Sequence, residues 1–539
     1  MDNSIRSEII KMIDDLKAVC ASNGLGNTSS EYKIITEIFL YKFLNDKFIS
    51  SLKELDNYKN LSTREVEEKI LNMTDEDFKN LLLGPDTAIV PKNSLISYLY
   101  NNQNIKDFHK EFDKALIDIS NNEDNAYLFS VHTADGSNVA LFNSISQYII
   151  DYSKKDDFCK ALIGKIINFT FEETFKQNYD FFAAIFEYLI KDYNKDFGKY
   201  AEYYTPYSIA MIIAKILAPN GDINAKVYDP AAGSGTLILA LANKIGKYNC
   251  TLYTQDISQK SNEFLRLNLI LNSLVHSLPN IVQGDTLINP YHKNKTQNDL
   301  DKFDYIVCNP PFKVDFSDNR EILANNDNSK RFFAGVPKIP NKEKDKMEIY
   351  LMFLQHILYS LNEKGKAAIV VPTGFLTQGS GIGKKIREYI INSNILKGVI
   401  SMPSNVFANT GTNVSIIFID RQAKNEDIIL IDASSLGDTI KEKNQRTVLL
   451  ENDISLIVNT FNNRELKEDF SVIVKNEDIK NKNYSFSAGQ YFEIKIDYID
   501  ISEEDNKINE FEKDLNDLFK KGRKLEKEIF KQLGNIKYE

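Results

Sequence analysis

Two short stretches carry residue types suited to group transfer: DPAAGSG (229–235) and NPPF (309–312). In the second, Pro310 and Pro311 impose a stiff, extended exit from whatever precedes them. A proline donates no backbone hydrogen bond, but its carbonyl accepts one. The side-chain oxygen of Asn309 and the carbonyl of Pro310 can therefore face one amino group as paired acceptors, and Phe312 can stack on a flat ring. This pairing suits an exocyclic amine whose lone pair is delocalised into that ring. Two acceptors hold its hydrogens and make the nitrogen a better nucleophile, with no metal and no covalent enzyme intermediate required. The bland alternative is a strand that merely ends in a proline turn.

The first stretch reads as a ligand turn. Gly233, Ser234 and Gly235 allow a tight bend and close approach of a ligand to the backbone, and a helix opens at Thr236. Asp256 follows Gly233 by 23 residues (256 − 233), close to the spacing at which an acidic residue holds ribose hydroxyls. Ile238 stands where a dinucleotide fingerprint would place its third glycine, so an adenosine-containing cofactor other than a nicotinamide is indicated. Asp285, in GDT after the next apolar run, is placed to meet the adenine; its plainer use is to cap a turn. GSGIGKK (379–385) imitates a phosphate loop, but Gln378 and Lys385 occupy the positions that need Gly and Ser or Thr. It reads instead as a turn opening the helix that contains Arg387.

The elements that must position these residues are legible as short apolar runs: AKVYDP (225–230), TLYTQD (251–256), NIVQGD (280–285), FDYIVCNPP (303–311), KAAIVVP (366–372), LKGVISMP (396–403) and VSIIFID (414–420). Helical patterns lie between them near 236–247, 258–273, 346–361 and 381–393. Such alternation implies an α/β fold with a doubly wound, mostly parallel sheet and ligands at the carboxyl ends of its strands. We divide the chain into a helical N-terminal domain (1–165), a catalytic domain (166–435) and a C-terminal region (436–539). The last ends in a charged helix whose Ile508, Phe511, Leu515, Leu518, Leu525 and Ile529 form a coiled-coil-like seam, with Gly522 and Gln532 on the same register. A partner helix or the protein's own body could cover that seam.

DPAAGSG, Gln255-Asp256, GDTL (284–287) and NPPF resemble the adenine-specific amino-methyltransferases of DNA, and GKYAEYYTPYSIA (198–210) resembles the Tyr-Thr-Pro segment that precedes the glycine motif in their gamma order. With ITEIFLYKFLNDKF (35–48) and the segment running from GKAAIVVPTGFL to VSIIFI, the chain is similar to modification subunits of type I restriction–modification systems. The resemblance implies the class I S-adenosylmethionine-dependent methyltransferase fold. It implies that Glu202, Tyr203, Tyr204, Thr205, Pro206 and Tyr207 line the methionine end of S-adenosylmethionine. Asp229, Gly233, Ser234, Gly235 and Thr236 would form the turn beside it, Asp256 would hold its ribose, and Asp285 would meet its adenine. Asn309, Pro310, Pro311 and Phe312 would hold the target adenine. Family members usually carry Glu where Asp256 stands. The implied partners are double-stranded DNA, a specificity subunit and a restriction subunit. Methylation of a protein glutamine or an RNA base, a stand-alone adenine methyltransferase, and a scaffold without activity are the competing readings.

The totals fit this picture. A chain of 539 residues with 42% hydrophobic and 26% charged residues has ordinary globular texture and room for two or three domains. The net charge of −10 argues against a chain that grips DNA alone over a long footprint, since phosphate neutralisation supplies most of such affinity. A local basic groove or a basic partner meets that need. No apolar run is long enough for a membrane span, and the start lacks a signal peptide's pattern, so a cytoplasmic protein is expected. Cys20, Cys159, Cys250 and Cys308 form no C-x-x-C pair and read as buried thiols. The segment 313–345, with Arg320, Lys330, Arg331 and Lys338, is either a flap over DNA or a solvated loop.

Overall fold

The computed structural model describes residues 2–81, 83–84, 86–129, 131–133, 138–139, 142–175, 188, 205–294, 296, 299–325, 328–407, 413–423, 427–441, 445–492 and 504–534. The chain divides into two compact units, residues 1–491 and 492–539.

The larger unit is organised by an 11-stranded sheet. Its strands are β1 (Val131–Thr133), β2 (Asn138–Val139), β3 (Ala225–Asp229), β4 (Cys250–Asp256), β5 (Ile281–Gln283), β6 (Phe303–Cys308), β7 (Leu361–Pro372), β8 (Leu396–Ser401), β9 (Val414–Asp420), β10 (Ile428–Asp432) and β11 (Ser471–Val474). The spatial order is β11-β10-β8-β9-β7-β6-β3-β4-β5-β1-β2. The run β1, β5, β4, β3, β6, β7 is parallel throughout, and β9 lies antiparallel between β7 and β8. From β3 the chain winds outward through β4 and β5, then returns to place β6 on the other side of β3. That reversal makes the carboxyl ends of β3 and β6 a topological switch point, where open α/β sheets bind ligands. Stacking of Tyr228 on Phe303, with ring centroids 4.3 Å apart, ties these two strands at the core.

Buried strands read as apolar runs, which is why seven of them are visible in the sequence. Helices cover the sheet between them. Tyr207–Leu217 packs Ile209, Ile212 and Ile213 into the core, against Thr236–Ile245 and Glu451–Asn463. The sheet is wider than the sequence indicates. The mostly helical N-terminal segment supplies β1 and β2, and the region beyond residue 435 supplies β11, which pairs with β10. Residues 436–491 therefore belong to the same compact unit as the sheet.

In the N-terminal region, Ser29–Lys53 is buried along most of its length; inside it Lys42 and Asp46 pair at 2.9 Å with almost no exposure. All four cysteines are buried and free. Among the described residues no helix is long and apolar enough to cross a membrane. The second unit contains the helix Glu504–Gly534, on which Phe511, Leu515, Leu518, Phe519, Leu525, Ile529, Phe530 and Leu533 are all exposed.

Candidate active site

Asp229 closes β3 with only 1% of its surface exposed, and its Oδ1 accepts the Ala231 N–H at 3.0 Å. Burial pushes its carboxyl up to about 8. The Ala231 amide opposes that shift, the nearby Asp256 charge adds to it, and the Cys308 thiol opposes it. The side chain shapes the turn from beneath. Gly233 (φ +53°) and Gly235 (φ +86°) both adopt the left-handed conformation that favours glycine. At Gly235 a Cβ would fall 2.2 Å from Leu265 Cδ1, so glycine lets the turn sit against the helix Gln259–Leu271.

The turn is fastened to the next strand end. The Gly233 N–H donates to Asp256 Oδ2 at 2.8 Å, and the Ser258 N–H donates to Asp256 Oδ1 at 2.8 Å. Burial pushes the Asp256 carboxyl upward and these two amides pull it back. Thr286 fastens the third strand end, its hydroxyl donating to the Pro230 carbonyl at 2.7 Å. Asp285 accepts the N–H groups of Leu287 and Ile288 through one oxygen, at 2.8 and 3.1 Å, so it does cap a turn.

The three turns thus form one hydrogen-bonded rim. Each Asp256 oxygen accepts one of these backbone bonds and keeps lone-pair capacity for a ribose hydroxyl. Beside it Ile257 is 70% exposed, an apolar face next to the acid that sequence reasoning overlooked. Partly exposed Gly233 and Ser234 complete the edge. These residues fit an adenosine-bearing cofactor: an acceptor pair for the sugar, an apolar platform for the base and a glycine turn for close approach.

At the end of β6, Asn309 and Phe312 are partly exposed and Pro310 is buried. Asn309 Nδ2 donates to Thr205 Oγ1 at 3.0 Å, across 104 residues of sequence. Phe312 meets Tyr350 edge-on at 6.3 Å, and Tyr350 meets Phe375 at 6.1 Å, forming an aromatic row. Thr205 and Pro206 are buried, and Tyr207 begins the following helix. Glu202, Tyr203 and Tyr204 lie outside the described residues.

The segment 313–345 is anchored rather than wholly solvated. Arg331 is buried and donates to the Leu287 carbonyl at 2.7 Å and to Asn328 at 2.9 Å, so it is not available to DNA; Lys330 and Lys338 are exposed. Arg387, on Gly381–Asn392, is fully buried too. Its guanidinium donates to the carbonyls of Phe375, Gln378 and Tyr484, joining residues on both sides of the expected boundary at 435.

A switch-point site on a sheet of this order, with β9 reversed, defines a class I S-adenosylmethionine-dependent methyltransferase fold. The model of the N-6 DNA methylase family matches residues 177–497. A type I restriction enzyme methylase subunit of Mycoplasma pneumoniae is 30% identical over 386 residues, covering 70% of this chain and 69% of that one. A type I methylase subunit of Methanocaldococcus jannaschii is 26% identical over 530 residues, covering 94% and 88%. The crystal structure of a type I restriction–modification methyltransferase subunit from Streptococcus thermophilus superposes with a TM-score of 0.71 at 20% identity, covering 92% of this chain and all of that one. The chain belongs to the N-6 DNA methylase family. It is an adenine-specific DNA methyltransferase that uses S-adenosylmethionine.

Proposed function

We propose that the protein methylates N6 of adenine in duplex DNA as the cytoplasmic modification subunit of a type I restriction–modification complex, with a separate specificity subunit reading the target and a restriction subunit as a further partner. The carrying observation is the orientation of Asn309. Its Nδ2 is engaged by Thr205, which leaves Oδ1 as a free acceptor.

In this reading the target adenine leaves the helical stack, because its N6 is unreachable within it. Phe312 stacks on the base, backed by Tyr350 and Phe375. Asn309 Oδ1 and the Pro310 carbonyl accept the two N6 hydrogens and hold the nitrogen lone pair toward the rim of the cofactor site. Asp256 holds the ribose, Ile257 bears the adenine, and Gly233 and Ser234 lie along the turn. Thr205 and Pro206 border the methionine end. The bound cofactor supplies an electrophilic methyl group on sulfur. The chain's contribution is positioning and charge stabilisation, and no side chain need form a covalent bond to substrate.

The helix Glu504–Gly534 is the surface for the specificity subunit, since eight large apolar side chains on it are exposed. Replacing Leu518 and Leu525 with Asp is expected to abolish co-purification with that subunit while leaving cofactor affinity unchanged.

The deciding assay incubates the protein, with and without its specificity partner, with methyl-labelled cofactor and unmethylated DNA. Label recovered as N6-methyladenine only with the partner, and lost in Asn309→Ala, supports the whole reading. Label in protein or RNA but not in DNA overturns it.

A further inference from the structure

We propose that Thr205 is a positioning residue for Asn309, anchoring its Nδ2 while Oδ1 accepts the target amine, rather than only a wall of the cofactor site. The inference rests on the reading of Asn309 as the acceptor of N6. A primary amide presents an acceptor on one side and a donor pair on the other, and its terminal torsion is broad and roughly two-fold. Rotated by half a turn, Asn309 would present NH2 to an amino group, donor against donor. When an amine sits against Asn309, both hydrogen bonds survive in only one arrangement: Oδ1 on the amine and Nδ2 on Thr205. That is the arrangement observed, at 3.0 Å.

The hydroxyl is delivered rigidly. Thr205 is 6% exposed, so little water competes for it. The residue before a proline is confined to extended backbone, and a β-branched side chain has few rotamers. Pro206 accepts the Ala210 N–H at 3.2 Å, fixing the start of a helix whose apolar face is buried in the core. Asn309 itself is clamped between the buried end of β6 and two prolines.

The electrostatics place the benefit in the chemical step. As the N–C bond forms, the C–S bond would break and its electron pair stay on sulfur as a neutral thioether; N6 is positively charged until one of its protons passes to solvent, and Asn309 Oδ1 stabilises that charge. The polarised amide then donates more strongly through Nδ2, and Thr205 is the acceptor that tightens with it. A residue that only lined the methionine end would change cofactor affinity instead.

The test compares Thr205→Val, which keeps the shape and removes the acceptor, with Thr205→Ser, which keeps the hydroxyl. Both are made in the full chain and assayed with the specificity partner on unmethylated duplex DNA. Single-turnover methyl transfer at saturating cofactor and DNA gives the rate, and calorimetry with S-adenosylmethionine gives its Kd. Thr205→Val is expected to slow transfer about 10- to 100-fold, the range for leaving one polar partner unpaired, with cofactor Kd changed less than about threefold. Thr205→Ser should recover the native rate to within about threefold. Thr205→Ala serves if the valine variant does not fold. An unchanged valine rate, a rate loss matched by lost cofactor affinity, or a serine variant as slow as valine would overturn the proposal. Native protein that leaves no label on adenine would instead overturn the reading of Asn309 on which it rests.

Discussion

The turns after β3 and β6 lie side by side at the same sheet edge, yet they are built in opposite ways. The turn after β3 is fastened by hydrogen bonds to the two neighbouring strand ends: Gly233 bonds to Asp256, which also holds Ser258, and Pro230 bonds to Thr286. The turn after β6 is stiffened by covalent means, two prolines, and reaches the rest of the protein through Asn309 and one bond to Thr205. The difference matches what each must hold. A cofactor site can be preformed, because its ligand is the same in every turnover. A base site must stay open until a nucleotide swings in, so its acceptors remain free and its geometry is set by rigid neighbours. Preorganised dipoles of this kind cost no rearrangement at the moment of reaction.

The comparison breaks first at Asn309. Asn309→Ala removes the side-chain acceptor from the open turn and is expected to lower single-turnover transfer about 10³-fold, the scale for losing one preorganised group. Cofactor affinity, measured by calorimetry, should stay near native; a matching loss of affinity would mean that the two turns are one site. Asp256→Ala is expected to do the reverse. It strands two backbone amides and removes the sugar's acceptors, raising the cofactor Kd about 30- to 100-fold, or ~2–3 kcal/mol. An unaltered Kd would show that Asp256 serves only to tie the turn.

Gly235 tests the fastened turn from its packing side. An alanine there meets both a left-handed backbone and Leu265 Cδ1 at 2.2 Å. Gly235→Ala is expected to cost about 1–3 kcal/mol in urea unfolding. Weaker cofactor binding should follow from the displaced turn. If the variant is as stable as the native protein, the close approach of the turn to Leu265 is not needed to build the rim.

What could be seen in the sequence follows the same division. The glycines, the prolines and the strand-end acids act within a few residues, so their spacing carries their meaning. Seven of the strands were legible because burial leaves an apolar run; β10, Ile428–Asp432, was passed over although it is as apolar and as buried as they are. The edge strands were not. β2, at one edge, is two residues, its neighbour β1 is three with a histidine at its centre, and β11, at the other edge, pairs with the sheet on one side only. Short edge strands of that kind carry little periodicity. Bonds that span the chain were equally hidden. Nothing local marks Thr205 as a partner of Asn309, or Arg331 as an anchor of the Leu287 turn rather than a contact for DNA. Ile257 did offer a signal, an aliphatic residue directly after a strand-end acid where the chain should turn polar.

The smallest expected effect concerns the proton held beneath the fastened turn. Burial pushes the Asp229 carboxyl up to about 8, so the folded protein keeps a proton that the unfolded chain releases in the ordinary carboxylate range. Between those two values the native state binds more protons than the unfolded state, and stability must fall as pH rises, levelling off above about 8. Asp229→Asn keeps an acceptor for the Ala231 N–H and removes the ionisation. Urea unfolding from pH 5 to 9 should show the native protein losing up to about 1.4 kcal/mol per pH unit through this group, while the variant follows a flatter course. The open turn supplies the control. Asn309→Ala carries no titrating change and should run parallel to the native curve. Equal slopes for all three proteins would mean that Asp229 stays ionised under the turn, held by Ala231 and Cys308 against its burial.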